Sequence, residues 1–161
     1  MTVTLRPASA QDDLFIRSLI LETIAEELGA AAWPEPMRSH LLEIQYAARR
    51  HAGSPEATGA ESCIIQTIDA AGDQHARGWL LMRTMPHEVR MIEIMVASGL
   101  RGRGIGTSAI ERVFEMADRA RLPVRLHVNI LNRGAVRLYE RLGFLKIEED
   151  EVQYLMERSF S

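Results

Sequence analysis

The chain has little cysteine, no long apolar run and no strong charge of one sign. A single cysteine, Cys63, among 161 residues excludes an internal disulfide framework and a zinc site built from several cysteines. No apolar stretch approaches the ~18 residues that a membrane span needs, and residues 1–7 lack the apolar core of a signal peptide. A formal net charge of −3 gives no basic footprint for nucleic acid or for an anionic membrane. These absences predict a soluble cytoplasmic protein without a metal, nucleic-acid or membrane partner.

The remaining composition is that of an ordinary globular protein. Hydrophobic residues make up 47% and charged residues 25% of the chain. With 161 residues, we expect one domain over 1–161 that buries a sizeable core. Cys63 lies in the apolar run Cys-Ile-Ile, which predicts a buried structural thiol rather than a nucleophile.

Hydrophobic periodicity and turn residues predict the element order β-α-α-β-β-β-α-β-α-β-β, a mixed sheet with helices on its faces. The first helix starts at a capping box of Ser9 and Asp12 and ends at Gly29. Pro34 and Pro36 open a second helix, which runs toward Arg50.

The remaining segments are a loop, several strands and two more helices. Residues 53–59 are rich in Gly, Ser, Pro and Thr and predict an exposed loop. The β-like segments are 2–6, 62–68, 75–84, 90–96, 124–130, 144–148 and 152–158. Helical patterns cover 107–121 and a short segment that Asn132 caps and that runs to Leu142.

The most informative motif is the run 101–106, Arg-Gly-Arg-Gly-Ile-Gly, between a strand and a helix. Its glycines let the backbone approach a ligand closely, and the following helix adds unpaired amides and the positive end of its dipole. Arg101 and Arg103 add positive charge at the same place. A tight strand-to-helix turn is the alternative, but the context favours a cradle for a phosphorylated cofactor.

Three segments in this order resemble the GNAT family of acetyl-CoA-dependent N-acetyltransferases. The run 101–106 fits the family's Arg/Gln-x-x-Gly-x-Gly/Ala loop. Residues 126–132, Leu-His-Val-Asn-Ile-Leu-Asn, resemble its fifth strand and the asparagine after it. Residues 135–144 resemble its helix ending in Tyr-x-x-x-Gly-Phe. With the family's spacing, the resemblance covers about residues 88–158.

The resemblance implies an α/β (α+β) fold: a mixed, mostly antiparallel sheet of about seven strands with four helices on its faces. It also implies transfer of acetyl from acetyl-CoA, with no metal, to a primary amine of a small molecule or peptide. Direct attack in a ternary complex fits better than an acetyl-enzyme, because Cys63 lies far from the motifs. A non-catalytic sensor or scaffold that binds acetyl-CoA is the alternative, and a homodimer is left open.

NAD and ATP are less suitable occupants of the glycine loop. The loop follows several strands, no acidic ribose partner is evident, and a Gly-Lys-Ser/Thr sequence is absent. The resemblance therefore decides in favour of coenzyme A, and it assigns a set of residues to the cofactor. They are Ile94, Met95, Val96, Arg101, Gly102, Arg103, Gly104, Ile105, Gly106, Thr107, Asn132 and Tyr139.

Each part of that set has an expected role. Amides of residues 101–107 would hold the pyrophosphate, and strand residues 94–96 would pair with the pantetheine arm where the fourth and fifth strands splay apart. The N–H near Val96 would polarise the acetyl carbonyl. Asn132 would contact the pantetheine arm while also capping the following helix. Tyr139 would protonate the departing thiolate, its alternative being a core aromatic.

The general base has two candidates besides water. His127 occupies a fifth-strand position at which the ribosomal-protein acetyltransferases, a related group that this chain resembles, have a glutamate. A histidine could remove a proton there near neutral pH. Glu93 lies on the fourth strand, opposite Val96 in pleat parity unless a bulge intervenes. Histone-type members use a glutamate earlier on that strand, where this chain has Arg90, and that departure argues against a histone-like mechanism.

The acceptor site is expected at the first two helices. Their candidate residues are Glu22, Glu26, Glu27, Trp33, Tyr46 and Arg49. The glutamates could attract an amine, although three glutamates on a helix are more typical of a solvated face. The sequence names no particular acceptor.

Overall fold

The computed structural model describes residues 1–52 and 59–161 and has an open sheet with helices on both faces. The strands are β1 (Thr2–Pro7), β2 (Glu61–Ile68), β3 (Gln74–Thr84), β4 (Val89–Val96), β5 (Val124–Asn129), β6 (Leu145–Glu149) and β7 (Gln153–Arg158). The α-helices are α1 (Asp13–Leu28), α2 (Met37–Ala52), α3 (Ile105–Ala120) and α4 (Arg133–Arg141). Most of the loop predicted over 53–59 lies outside the described residues.

The sheet has seven strands in the order β1-β2-β3-β4-β5-β7-β6. Every neighbouring pair is antiparallel except β4 and β5, which are parallel. A parallel pair needs a long crossover, and the glycine loop together with α3 supplies it. The predicted fold class, a mixed and mostly antiparallel sheet with four helices, is confirmed.

Each face of the sheet has its own apolar core. Residues of α3 and α4, among them Val113 and Val136, pack on one face against β4 and β5. Residues of α1, among them Ile20 and Ile24, pack on the other face, joined by Leu42 of α2. We refer to these as the α3 face and the α1 face.

The central strands β2 and β3 are buried on both faces, which is why they carry continuous apolar runs rather than alternation. Cys63 on β2 is 8% exposed, and burial raises the pKa of its thiol. The predicted buried structural thiol is therefore confirmed.

The first two helices follow the predicted order with some differences. The Ser9 N–H donates to the Asp12 carboxylate at 2.9 Å, and Gly29 ends α1 in the left-handed region at φ 63°. Leu14 follows the helical spacing yet is 81% exposed, because it lies on the side of α1 away from the sheet. The helix α2 begins at Met37 rather than at the prolines. No helix within 1–52 or 59–161 is both long enough and apolar enough to cross a membrane.

Candidate active site

The glycine loop joins the end of β4 to α3 and carries two residues in the left-handed region. Gly102 and Gly104 have φ values of 76° and 80°, where an L side chain is strained. The Ser108 N–H donates to the Gly104 carbonyl at 2.9 Å, so helical bonding begins at Ser108. The preceding amides, 105–107, are the unpaired first-turn donors of α3 and lie at its positive end.

A groove of about 510 Å³ runs along this loop, and we call it the donor groove. The residues that line it are Ile94, Val96, Leu100, Arg101, Gly102, Gly104, Ile105, Gly106, Thr107, Ile110, Asn132, Ala135, Leu138, Tyr139 and Arg141. Backbone N–H groups and the loop glycines thus form one wall, and α4 forms the opposite wall. Such a surface fits an extended, phosphorylated ligand.

The strands β4 and β5 separate beside the groove. Their pairing stops at Met91 and Leu126, although β5 continues alongside β7 as far as Asn129. The gap opens into a cavity of about 300 Å³ that passes between the two faces of the sheet, and we call it the slot. The slot and the donor groove share Ile94, Asn132, Ala135 and Tyr139. A ligand in the groove therefore has access to the slot.

The free edge of β4 directs a backbone amide into this gap. The Ala97 N–H donates to the Arg77 carbonyl of β3 at 3.0 Å. Because N–H directions alternate along a strand, the Val96 N–H points away from β3 and toward the gap. The predicted separation of the fourth and fifth strands is thus present, with an amide donor at its edge.

A β-bulge at Ile92 sets the direction of Glu93. Leu81 of β3 pairs with Glu93, and the next residue of β3 pairs with Met91, so Ile92 is the extra residue. Met91 packs in the core of the α3 face, whereas the Glu93 side chain turns to the α1 face and contacts Arg49. With strict alternation from Met91 onward, Glu93 would have faced the α3 core. The bulge therefore presents a carboxylate to the slot.

Glu93 is half-buried and held by one arginine of α2. The Arg49 Nε and Nη2 donate to the two oxygens of Glu93, each at 3.1 Å, and Nη1 donates to Glu27 of α1 at 3.0 Å. Burial raises the pKa of Glu93 above its ordinary value, while the charge and hydrogen bonds of Arg49 act in the opposite direction. The result is a carboxylate more basic than an exposed glutamate.

Tyr139 lies on α4 at the junction of slot and groove. Its ring packs edge-on against Phe144, with the ring centroids 5.6 Å apart. Burial raises the pKa of its hydroxyl, and the nearby charge of Glu93 raises it further. Tyr139 is therefore protonated at neutral pH. Its ring packs in the core, as expected for a core aromatic, and its side chain also lines the cavity, as expected for a proton donor.

These features correspond to a known family. A sequence profile of the Acetyltransferase (GNAT) family matches residues 21–144. The chain belongs to the GNAT acetyltransferase family. The resemblance in the three segments is therefore confirmed.

Individual relatives agree with the family and the fold. An uncharacterized N-acetyltransferase, MJ1207, of Methanocaldococcus jannaschii is 49% identical over 61 residues, which are 37% of this chain. The chain covers 26% of that relative's length. The structure of PaiA N-acetyltransferase from Thermoplasma acidophilum in complex with coenzyme A aligns over 99% of this chain and 100% of its own, with 13% identity and a TM-score of 0.71. A spermidine N-acetyltransferase SpeG chimera from Vibrio cholerae and hSSAT aligns over 99% and 96%, with 20% identity and a TM-score of 0.65.

Asn132 lies where the slot and the donor groove meet, and its side chain also caps α4. Its Oδ1 accepts the Ala135 N–H at 3.2 Å. The predicted cap is present, and contact with a pantetheine arm stays a prediction. His127 lines the slot from β5 with an exposed side chain, and its Nδ1 lies 3.3 Å from Arg90 Nη1.

Arg101 lines the donor groove and is held there by contacts within the protein. Its Nη1 donates to Glu26 at 2.6 Å and its Nε to the Val96 carbonyl at 3.1 Å, while Glu22 accepts the Ser98 N–H at 2.9 Å. Glu22 and Glu26 therefore connect the start of the loop to α1 while keeping part of their side chains in solvent, and an amine-attracting role for Glu26 stays a prediction. The backbone amides and the helix terminus carry the anion-binding potential of the loop.

Some of the other predicted site residues line the donor groove or the slot, and others do not. Arg103 lies on the loop but does not line the donor groove, whereas Met95 is buried on the α1 face and lines the slot. Glu27 lines the slot. Tyr46 packs under the Arg17 guanidinium, 4.8 Å from its ring centroid, and neither it nor Trp33 lines the slot.

Sequence reasoning missed several wall residues. Thr23 of α1 and Ile92 line the slot, and Arg141 lines the groove. Arg49 was named only among the α2 candidates, without its contact to Glu93. The bulge and the packing of α2 decide these positions, and neither leaves a local pattern in the sequence. Arg141 was within reach of sequence reasoning, because it lies two residues after Tyr139 on the recognised helix.

Proposed function

We propose that the protein transfers the acetyl group of acetyl-CoA to a primary amine by direct attack in a ternary complex. One observation carries the proposal: the donor groove and the slot meet at Tyr139, with Glu93 on the slot wall. A donor and an acceptor that enter from different sides can therefore meet between a base and an acid.

The residues of the groove fit coenzyme A. The left-handed Gly102 and Gly104 and the unpaired amides 105–107 suit a pyrophosphate, and the free edge of β4 suits an extended arm. A Cβ on Gly106 would approach Val96 Cγ2 at 3.6 Å, so the loop lies close against β4. Acetyl-CoA, when bound, supplies the acetyl thioester.

Glu93 acts as the general base in this proposal. Its raised pKa and its place on the slot wall suit removal of a proton from the attacking amine, directly or through a water. Arg49 keeps the carboxylate oriented and sufficiently ionised. His127, which lines the same slot from β5, is the second candidate.

The Val96 amide and Tyr139 act on the acetyl thioester, at its carbonyl oxygen and at its sulfur. The Val96 N–H donates to the carbonyl oxygen as negative charge develops there. Tyr139, whose raised pKa keeps it protonated, donates a proton to the leaving sulfur. An acetyl-enzyme route is disfavoured, because Cys63 is buried and its raised pKa lowers the thiolate fraction.

The acetyl donor and the reaction are tested together. We expect acetyl-CoA and CoA to raise the melting temperature, and NAD and ATP to leave it unchanged. Free-thiol release with a panel of amino acids, peptides, polyamines and simple amines should then show turnover. Stabilisation by NAD or ATP but not CoA contradicts the donor assignment. Acetyl-CoA binding without thiol release from any amine supports the non-catalytic sensor instead.

A further inference from the structure

A second cavity adjoins the slot on the α1 face, and we call it the apolar chamber. Its volume is about 210 Å³. Its floor consists of Ile20, Trp79 and Leu81, which are 1%, 3% and 0% exposed. The chamber shares Arg49, Ile92 and Glu93 with the slot, so a group bound on this floor lies beside the proposed base.

Two arginines of α2 form the charged wall of the chamber. Arg49 is the partner of Glu93, and Arg50 places its guanidinium 5.9 Å from the centre of the Trp79 ring. Within residues 1–52 and 59–161, no carboxylate forms an ion pair with Arg50. A guanidinium that lacks a carboxylate partner in this described part of the chain and lies above an apolar floor suits an anion attached to an apolar group.

The charges at the slot and the chamber balance one another. Glu27, Arg49 and Glu93 line the slot, Arg50 lines the chamber together with Arg49 and Glu93, and the four formal charges cancel. A plain ammonium or a polyamine would leave Arg50 without an anion and bring positive charge next to Arg49. A zwitterion with an apolar group satisfies both sides.

We propose that the acceptor is an α-amino acid with an apolar side chain, an inference that rests on the proposed acetyl transfer. The carboxylate binds Arg50 and the outer Nη1 of Arg49, displacing Glu27, which is 56% exposed and whose ion pair therefore contributes little. The α-amine lies at Glu93, and the side chain packs on the chamber floor. Because Arg49 and Glu93 are in direct contact, the anion and amine sites have the close spacing of an α-amino acid.

The transfer balances with the groups already described. The α-ammonium of the bound zwitterion first loses a proton through Glu93 to solvent water, and the neutral α-nitrogen then forms a bond to the acetyl carbonyl carbon as the carbon–sulfur bond breaks. One amine proton passes to Glu93, and the sulfur takes a proton from Tyr139. The products are an N-acetyl amino acid and coenzyme A.

The test compares an amino acid with two analogues that differ from it only at the carboxylate, and with a polyamine. With acetyl-CoA, kcat/KM is measured by thiol release for L-phenylalanine, L-phenylalanine amide, 2-phenylethylamine and spermidine. We expect L-phenylalanine to exceed the other three by about 10-fold or more, the scale of a charge-assisted hydrogen bond. Arg50→Gln should reduce the ratio of L-phenylalanine to its amide by ~10–100-fold, mainly through KM.

Arg38→Gln is the matched control, because Arg38 lies on the same helix and pairs with Glu35 at 2.7 Å, away from the chamber. It should keep the wild-type ratio, and melting temperatures show that both variants fold. Equal use of L-phenylalanine and its amide, or an equal loss for every acceptor in Arg50→Gln, overturns the inference. Turnover of 2-phenylethylamine or spermidine without L-phenylalanine overturns it and leaves acetyl transfer standing. A lack of both acetyl-CoA stabilisation and thiol release overturns the proposed function and this inference with it.

Discussion

Replacing Glu93 with glutamine removes the proposed base while keeping the size of the side chain. In the native protein both carboxylate oxygens accept hydrogen bonds from Arg49 at 3.1 Å, so the side chain has one defined orientation in the slot. The amide of Glu93→Gln cannot accept a proton from the amine. The variant therefore isolates proton removal from the shape of the slot.

The expected loss follows from what a positioned base contributes. General-base catalysis typically supplies about 10²–10⁴-fold, so kcat/KM for the amine should fall by at least ~100-fold in Glu93→Gln. Affinity for acetyl-CoA should change little, because Glu93 does not line the donor groove. Thiol release measures the rate, and a thermal shift with acetyl-CoA measures donor binding.

The pH dependence identifies the base directly. Glu93 must be ionised to act, so kcat/KM should fall as the pH decreases through its raised pKa. Arg49→Gln removes the charge that lowers this pKa, so the pKa rises further and the acidic limb moves to higher pH. We expect a displacement of about one pH unit, the lower end of the usual effect of an adjacent opposite charge, because the pair is partly exposed to solvent.

Three results would refute this reasoning. Glu93→Gln with nearly native kcat/KM removes Glu93 as the base, and an acidic limb that stays in place in Arg49→Gln removes their coupling. A loss of ~100-fold in His127→Ala, with Glu93→Gln unaffected, assigns proton removal to His127. Glu115→Gln is the matched control, because Glu115 pairs with Arg112 on the outer surface of α3.

Three further predictions concern the acid, the loop and the start of the first helix. Tyr139→Phe should lower kcat by ~100-fold while changing acetyl-CoA affinity by less than ~3-fold, because only the proton donor is lost. Gly104→Ala places a Cβ at φ 80° and should cost about 1–2 kcal/mol, seen as a lower melting temperature and weaker acetyl-CoA binding. Asp12→Asn should cost about 1–2 kcal/mol at neutral pH, because Asp12 accepts two hydrogen bonds from Arg6 at 2.9 Å. Its hydrogen bonds with Arg6 lower the pKa of Asp12 to about 2, so this stabilisation is present above its unfolded pKa near ~4 and is lost as the pH falls toward 2.

Each of these predictions has a control and a contradicting result. An unchanged kcat in Tyr139→Phe would show that another group protonates the sulfur. Gly99→Ala is the control for the loop, because Gly99 lacks a positive φ and its added Cβ meets no atom within 4 Å. Equal effects at the two glycines would dismiss backbone strain as the cause. A stability difference between native protein and Asp12→Asn that persists at the lowest pH would contradict the ionic origin.

The features that were predictable are those encoded in consecutive residues. The glycine loop, the Asn132 cap and the helix that ends before Gly143 each depend on local chemistry, such as φ freedom, a capping oxygen or the helical period. Their order along the chain sufficed for the family and for the fold. The roles of Tyr139 and of the base stay predictions, because no local pattern distinguishes a packed side chain from a catalytic one.

The features that were not predictable depend on contacts between distant segments. Arg49 reaches Glu93 across 44 residues, and Arg101 reaches Glu26 across 75. Both arginines occur in segments whose helical or loop character was recognised from the sequence. The partner of each depends on how α1 and α2 pack on the sheet, and a helical period specifies which face is buried but not which side chain it meets.

The sequence by itself determined that a glycine loop suited to an anionic donor lies between a strand and a helix, because backbone freedom and first-turn amides follow from consecutive residues. Only the tertiary structure decided what faces that donor. The bulge at Ile92 turns Glu93 to the α1 face, and the separation of β4 from β5 opens the slot to it. The packing of α2 then adds Arg49 to the same site. Register and helix packing are relations between segments, which is why they emerge only when the chain is folded.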